Sequence, residues 1–432
     1  MNSISEWLDS ARRQLSIEVY PQDWQHNDEW SFADGALAHR SGKFFTIKGF
    51  HCYAPGTKWH DDQFPLIDQP EVGLLGFLLA MGNEGPEWLL QAKAEPGTEH
   101  HVQIGPSVQA TVSNYTRAHG GKPTAFLNEF QQYRDVLVSS VEQSEQGTRF
   151  LGKFNWNAVR ILPEKIELHN ENWKWFSASD LKRALGQDFL VNTDSRSVIA
   201  CAPWTLLCPD AEPFSKPLLG TNAFTEKLRS SYGASRDISS VSGRLLQADR
   251  LPDISLTPLP LDGLSSWRMT EDGFIPLGTA DYDVRSYRIY VPGREKERWS
   301  QPLLRGLNEA RAVLFARASS DGLEFFFRET IEPGFGVSLQ LGPSWQSDGE
   351  NPDWTAIELT SSRTPLIQIR QSDEGGRFMR SIVSYEIRQI SQDTSGEGGY
   401  WLTLSQLQAL CRQRGMLTNE ARTLISMLLS FA

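Results

Sequence analysis

The segment Glu95 to Gln109, EPGTEHHVQIGPSVQ, returns later in the chain as EPGFGVSLQLGPSWQ, from Glu332 to Gln346. Eight of the fifteen positions are identical without a gap, where average residue usage gives about one by chance. The offset is 332 − 95 = 237 residues. A chain that carries the same motif twice must fold into two like units.

The match extends in both directions. At the same offset FLLAMGNEGPEWLLQAKAEPG, from Phe77, lies over LFARASSDGLEFFFRETIEPG, from Leu314. A strand, a glycine-containing turn and a second strand thus lead into each motif. SEQGTRF, from Ser144, answers to SDEGGRF, from Ser372, at an offset of 228, so the second copy has lost nine residues. WKWFSASDLKRAL and GYWLTLSQLQAL then align at 226 on Trp175 and Trp401. Ser177 with Asp180 and Thr403 with Gln406 place a capping box at the same helix start in both. A helix-like segment carrying Arg196 or Arg422 closes each copy.

The 432 residues exceed one compact core and suit two domains. The expected division is a first repeat over 1–215, a helix and Pro-rich linker over 216–264 and a second repeat over 265–432. A net charge of −11 without a Lys/Arg run disfavours a nucleic-acid partner. No apolar run reaches about 18 residues and the N-terminus lacks a signal-peptide layout, so a cytoplasmic protein that does not span a membrane is expected. Cys52, Cys201, Cys208 and Cys411 have neither CxxC spacing nor counterparts between the repeats, so they read as buried thiols; no metal site is expected.

Ser3 and Glu6 cap an amphipathic helix at the start of the chain, and residues 31–53 read as a hairpin running into a strand. FLNEFQQYRDVLVSSV, from Phe126, has helical apolar spacing and is expected to be a helix. TNAFTEKLRSSYG is expected to be another, and LPDISLTPLPLDGL an extended crossing. DYDVRSYRIYVPGREKERWS brings Arg285, Arg288, Arg294 and Trp299 together. Guanidinium forks match phosphate oxygens, so this cluster is either a diphosphate grip or a solvated strand face.

LLQAKAEPGTEHHVQIGPSVQATVSNYTRAHGG with SEQGTRFLGKFNWN resembles the NDP-hexose 2,3-dehydratases of deoxysugar biosynthesis. YDVRSYRIYVPGRE, RWSQPLL, EGGRF and WLTLSQL are similar to that family's second half. The resemblance implies an α+β fold, a tandem duplication of a Nudix-like domain of mixed sheets plus helices, in a homodimer. It also implies loss of water across C2 and C3 of a dTDP-linked 4-keto-6-deoxyhexose, no cofactor, and a downstream NAD(P)H-dependent 3-ketoreductase as partner. The RExxEE helix with which Nudix hydrolases hold magnesium is missing, which disfavours diphosphate cleavage. Gly152, Phe154 and Trp156 replace an arginine-rich strand of the family, leaving open a diverged protein that only binds a nucleotide sugar.

Such an elimination needs a base at C3, an acid near the C2 hydroxyl and a donor at the C4 oxygen. Lys93 becomes Thr330 in the second copy, and Tyr115 and His119 have no counterpart there, so these three are the catalytic candidates. His119, in a loop before two glycines, suits proton abstraction, or is simply solvated. Lys93 suits the ketone, or snorkels; Tyr115 suits the leaving hydroxyl, or stacks. Candidate binding residues in the first copy are Gln91, Glu95, Gln103, Gln109, Thr111, Asn114, Arg149, Lys153, Asn155 and Asn157. In the second copy they are the arginine and tryptophan cluster with Arg328, Gln340, Gln346 and Arg377.

Overall fold

The computed structural model describes residues 3–55, 57–112, 123–215, 223–247, 254–292, 296–336, 338–347, 364–390 and 398–432. The chain is an α+β protein built of two similar halves, each with one large and one small mixed sheet. In the first half the large sheet runs Leu137–Ser144, Phe154–Leu162, Gly73–Gly82, Gly85–Ala94, Trp173–Ser177. In the second it runs Ile367–Ser372, Ile382–Gln389, Ala310–Ser319, Gly322–Ile331, Gly399–Leu402. The order is the same in both, down to the one parallel pair at the same place. Each motif follows the hairpin expected from the sequence, Gly73–Gly82 with Gly85–Ala94 or Ala310–Ser319 with Gly322–Ile331.

The small sheets show that the halves are not strung end to end. The strand Glu18–Pro21, near the start of the chain, pairs with Tyr282–Tyr290 of the second half, Glu18 opposite Tyr290. The strand Ser255–Leu259, within the Pro-rich crossing, pairs with Thr46–Tyr53 of the first, Ser255 opposite Tyr53. Both differences, 255 − 18 and 290 − 53, equal 237. The halves therefore exchange equivalent strands in equivalent register, and each small sheet is completed by the other repeat.

The repeated motif makes the same exchange. Glu95 accepts the Gly375 N–H at 3.3 Å, and Glu332 accepts the Gly147 N–H at 2.7 Å. Around these, Gly97 donates to the Gly375 carbonyl and Gly334 to the Gly147 carbonyl, at 2.9 and 2.7 Å. Arg380 and Gly152 return N–H bonds to the carbonyls of Gly97 and Gly334. The EPG glycines are required because the backbones touch: a Cβ at Gly97 would overlap the Phe378 carbonyl, and one at Gly334 the Phe150 carbonyl. The arginine of each turn also crosses over, Arg149 onto the Tyr282 ring and Arg377 onto the Phe45 ring, both at 4.4 Å.

The helices Thr193–Cys201 and Asn419–Leu428 pack on each other at the centre, almost wholly buried. Arg196 reaches Ser426 and Arg422 reaches Ser197, so each buried guanidinium is satisfied partly by the other half. The opening helix Ile4–Gln14 carries the expected Ser3/Glu6 capping box, and Thr403/Gln406 a second. Ser177 accepts from the Asp180 N–H at the matching start. Ala223–Gly233 is the helix expected there. No helix among the described residues is long and apolar enough to cross a membrane.

The helix expected from Phe126 is a correction. Only Asn128–Gln131 is α-helical, and Leu137–Ser144 is a strand paired along Phe154–Leu162. Two competing patterns occupy that segment: helical spacing through Phe130, then alternation in VLVSSV. The sheet edge takes the second, since burial against a neighbour outweighs propensity.

Gly97→Ala or Gly334→Ala should each cost roughly 4 kcal/mol or more, or prevent folding. Gly243→Ala, in the helix Ser239–Leu245 with open space around it, should stay within about 1 kcal/mol of the parent or gain stability. Thermal melting of the three variants checks this.

Candidate active site

The interlock brings the end of each turn under the large sheet of the opposite half. In the second half this forms a cleft enclosing roughly 370 Å³, lined by Gln146, Thr148 and Arg149 from one repeat and Arg311, Gln346, Asp373, Ser381 and Glu420 from the other. The equivalent positions in the first half are Glu374 and Arg377 from the second repeat with Gln109, Glu145, Lys153, Asn155 and Asp194. The two places share a scaffold and differ in chemistry.

In the first half, Glu145 is buried at the end of the strand Leu137–Ser144. Its carboxylate accepts the Asn155 amide at 2.8 Å on one oxygen and the Asn419 amide at 2.9 Å on the other. Burial pushes its pKa up to about 7; Arg422 pulls the other way, and Glu374 adds to the rise. Asp194, in the first turn of Thr193–Cys201, is held well above the usual carboxylate range by burial, then by the charges of Glu374, Glu145 and Glu95. Lys153 is buried, donates to the Glu71 carbonyl, and has its pKa lowered by the same desolvation. Glu95 is raised by burial, with the neighbouring Lys93 opposing. Carboxyl groups kept near neutrality beside a desolvated lysine are the equipment of proton transfer.

Several expected residues meet here. Lys93 lies half-buried on Gly85–Ala94 with its ammonium 3.4 Å from the Gln109 carbonyl. Gln109 donates to Glu95 at 2.8 Å and accepts from Asn192 at 3.0 Å. Asn155 accepts the Gly73 N–H, Asn157 donates to the Asn155 carbonyl, and Arg377 donates to Gln69 at 3.1 Å. Gln91 is on the Lys93 strand and Thr111 just beyond Val108–Ala110, both half-buried. Asn114, Tyr115, His119 and Arg294 lie outside the described residues.

Others are placed elsewhere. Gln103 and Gln340 are buried between the halves, Gln103 accepting from Gln371 at 3.5 Å and Gln340 donating to Ser144 at 2.8 Å. Arg328 lies beside the Ser344 carbonyl, and Arg149 and Gln346 line the second-half cleft. Arg285 is held between Asp272 and Asp283 on the small sheet of the second half. Arg288 is exposed there, and Trp299 donates to Gln301 at 2.8 Å.

Glu145, Asp194 and Glu374 were not singled out by sequence reasoning. A signal existed: an acid stands two residues before both buried arginines, Asp194 and Glu420, and the turn blocks carry Glu145 and Asp373 at one position.

A duplicated α+β scaffold with buried, proton-accepting carboxyl groups in one half defines an acid–base enzyme site. The chain belongs to the NDP-hexose 2,3-dehydratase family, whose model matches residues 1–202 and 242–428. It is similar to three proteins named dTDP-4-dehydro-6-deoxy-alpha-D-glucopyranose 2,3-dehydratase. That of Streptomyces violaceoruber is 31% identical over 91% of this chain and 88% of its own length. That of Amycolatopsis orientalis is 29% identical over 98% and 89%, and that of Saccharopolyspora spinosa 27% over 98% and 90%.

Folding raises the proton affinity of Glu145, so the folded chain holds more protons than the unfolded one between its ordinary 4.5 and about 7. Its contribution to stability is therefore fully present below pH 4.5 and falls as pH rises to about 7, by roughly 3 kcal/mol in all. In Glu145→Gln the loss of melting temperature between pH 5 and pH 8 should shrink; an unchanged slope would contradict the burial of a titrating carboxyl here.

Proposed function

We propose that this protein eliminates water across C2 and C3 of a dTDP-linked 4-keto-6-deoxyhexose in deoxysugar biosynthesis. The observation that carries the reading is the pairing of Glu145 and Asp194, two buried carboxyl groups of raised pKa in one site, within a chain of this family.

The C4 ketone acidifies the C3 hydrogen. Glu145, about half ionised at neutral pH, takes that proton, and the electron pair passes into the enolate at C4. Lys93, the sequence candidate at this position, offers its ammonium to the enolate oxygen. As the C4 carbonyl re-forms, the C2–C3 double bond closes and the C2–O bond breaks. Asp194, kept protonated by burial and by its acidic neighbours, gives the leaving hydroxide its proton, and water departs. The resulting 3-hydroxyenone ketonises by taking a proton at C2, which leaves a 2-deoxy-3,4-diketo sugar. This assignment gives Glu145 the role that the sequence offered to His119.

A cytoplasmic homodimer that passes this product to an NAD(P)H-dependent 3-ketoreductase completes the reading. The four cysteines are unpaired and buried, as in a reducing compartment, and a reactive diketone is a hydride acceptor at C3.

With dTDP-4-keto-6-deoxyglucose in heavy water, NMR should show loss of the C2 carbinol signal and deuterium entering at C2. Turnover should follow a bell-shaped pH profile whose acidic limb lies near 7, the alkaline limb reporting Asp194. Glu145→Gln should lower kcat by roughly a hundredfold to ten-thousandfold with dTDP binding retained. Binding without C2 exchange in the parent protein would instead identify a nucleotide-sugar-binding protein.

A further inference from the structure

We infer that Asn419, contributed by the second repeat, is the positioning residue of Glu145, and that Thr193 locks its side-chain amide in the working orientation. The inference rests on the proton-transfer role given to Glu145 above.

Thr193 and Asn419 are equivalent residues, at 419 − 193 = 226, each the first of its buried central helix. Because those two helices pack on each other, the two residues meet where the halves join. The Thr193 hydroxyl donates to Asn419 Oδ1 at 3.0 Å. An amide whose oxygen is occupied in this way must present its nitrogen elsewhere, and Nδ2 points to Glu145 Oε2 at 2.9 Å. Rotated by half a turn, the same amide would set its oxygen against a carboxylate oxygen, with no donor between them. The threonine hydroxyl therefore decides which face Glu145 meets.

The relay runs in one direction only. The counterpart of Glu145 in the second half is Asp373, at 373 − 145 = 228, and it is held by Gln146 at 3.0 Å and Ser381 at 2.7 Å. The hydroxyl of Thr193 is directed at Asn419. One substitution at the meeting point of the halves thus breaks their symmetry in favour of the first site.

Neutral donors suit this task. Glu145 faces Arg422 on the same helix as Asn419, Lys153 on the first-half sheet, Glu374 from the second-half turn, and Asp194. A further cation in place of Asn419 would hold the carboxylate ionised and weaken it as a base. Two amides, one on each oxygen, fix its plane and leave it basic.

The test compares kcat–pH profiles of Asn419→Ala, Thr193→Val and Thr193→Ser with the parent. Removing a hydrogen bond to the charged form should move the acidic limb up by about one pH unit in Asn419→Ala. Its kcat should fall roughly tenfold to a hundredfold, with KM and dTDP affinity within about twofold. Thr193→Val, which keeps the volume and removes only the hydroxyl, should show the same change at smaller size. Thr193→Ser should restore the parent profile. If Asn419→Ala does not fold, the valine and serine pair decides alone. A folded Thr193→Val or Asn419→Ala enzyme with an unmoved acidic limb would overturn the inference. A limb that survives Glu145→Gln would remove the role of Glu145 itself, and this inference with it.

Discussion

Each half of the molecule depends on one carboxylate that belongs to the other half's turn. Glu95 takes the N–H of Gly375, and Glu332 takes the N–H of Gly147. A buried carboxylate is tolerated only where donors satisfy it, so neither turn can leave without stranding a charge. The glycines follow from the same contact, since no Cβ fits between the crossing backbones. The exchanged strands Glu18–Pro21 and Ser255–Leu259 and the arginines stacked on Tyr282 and Phe45 repeat the crossing at the outer sheets. Two domains joined by a linker would move against each other by default; these two are threaded through one another.

That threading explains where the chemistry sits. Because each turn ends beneath the opposite sheet, either site is built from both repeats, and substitutions in one repeat reset the other's site. The duplication began with two equal positions and the present sequence has treated them differently: Glu145, Lys153 and Asn155 face Asp373, Ser381 and Val383 across the pseudo-symmetry. In the first half the result is a set of ionisable groups displaced from their ordinary pKa values by burial and by one another. Such groups lower stability near neutral pH, and proton transfer is what that cost supports.

Much of this was legible in the sequence. The 237-residue offset found in one motif is the offset that relates the exchanged strands, because a symmetric interlock demands the same residues at both ends. Glu95, Gly97, Gln109 and their partners at Glu332, Gly334 and Gln346 are identical for that reason, and Lys93, Lys153 and Asn155 do lie by the acidic cluster. Glu145 and Asp194 were hidden because nothing adjacent in sequence makes them unusual; their character comes from Arg422, Glu374 and Asn419, more than two hundred residues away for Glu145. The segment after Phe126 misled for a related reason. Its apolar spacing fits a helix, and the strand it becomes is decided by Phe154–Leu162 lying alongside.

Hydrogen exchange at the two glycine turns is the most direct measurement of this interlock. The segments 146–150 and 374–378 donate the backbone bonds that join the halves. If the halves form one threaded unit, both segments exchange only through a single cooperative opening, at matching rates that respond together to denaturant. Exchange of one segment through its own lower-energy opening, with the other still protected, would show two separable domains and contradict a shared active site.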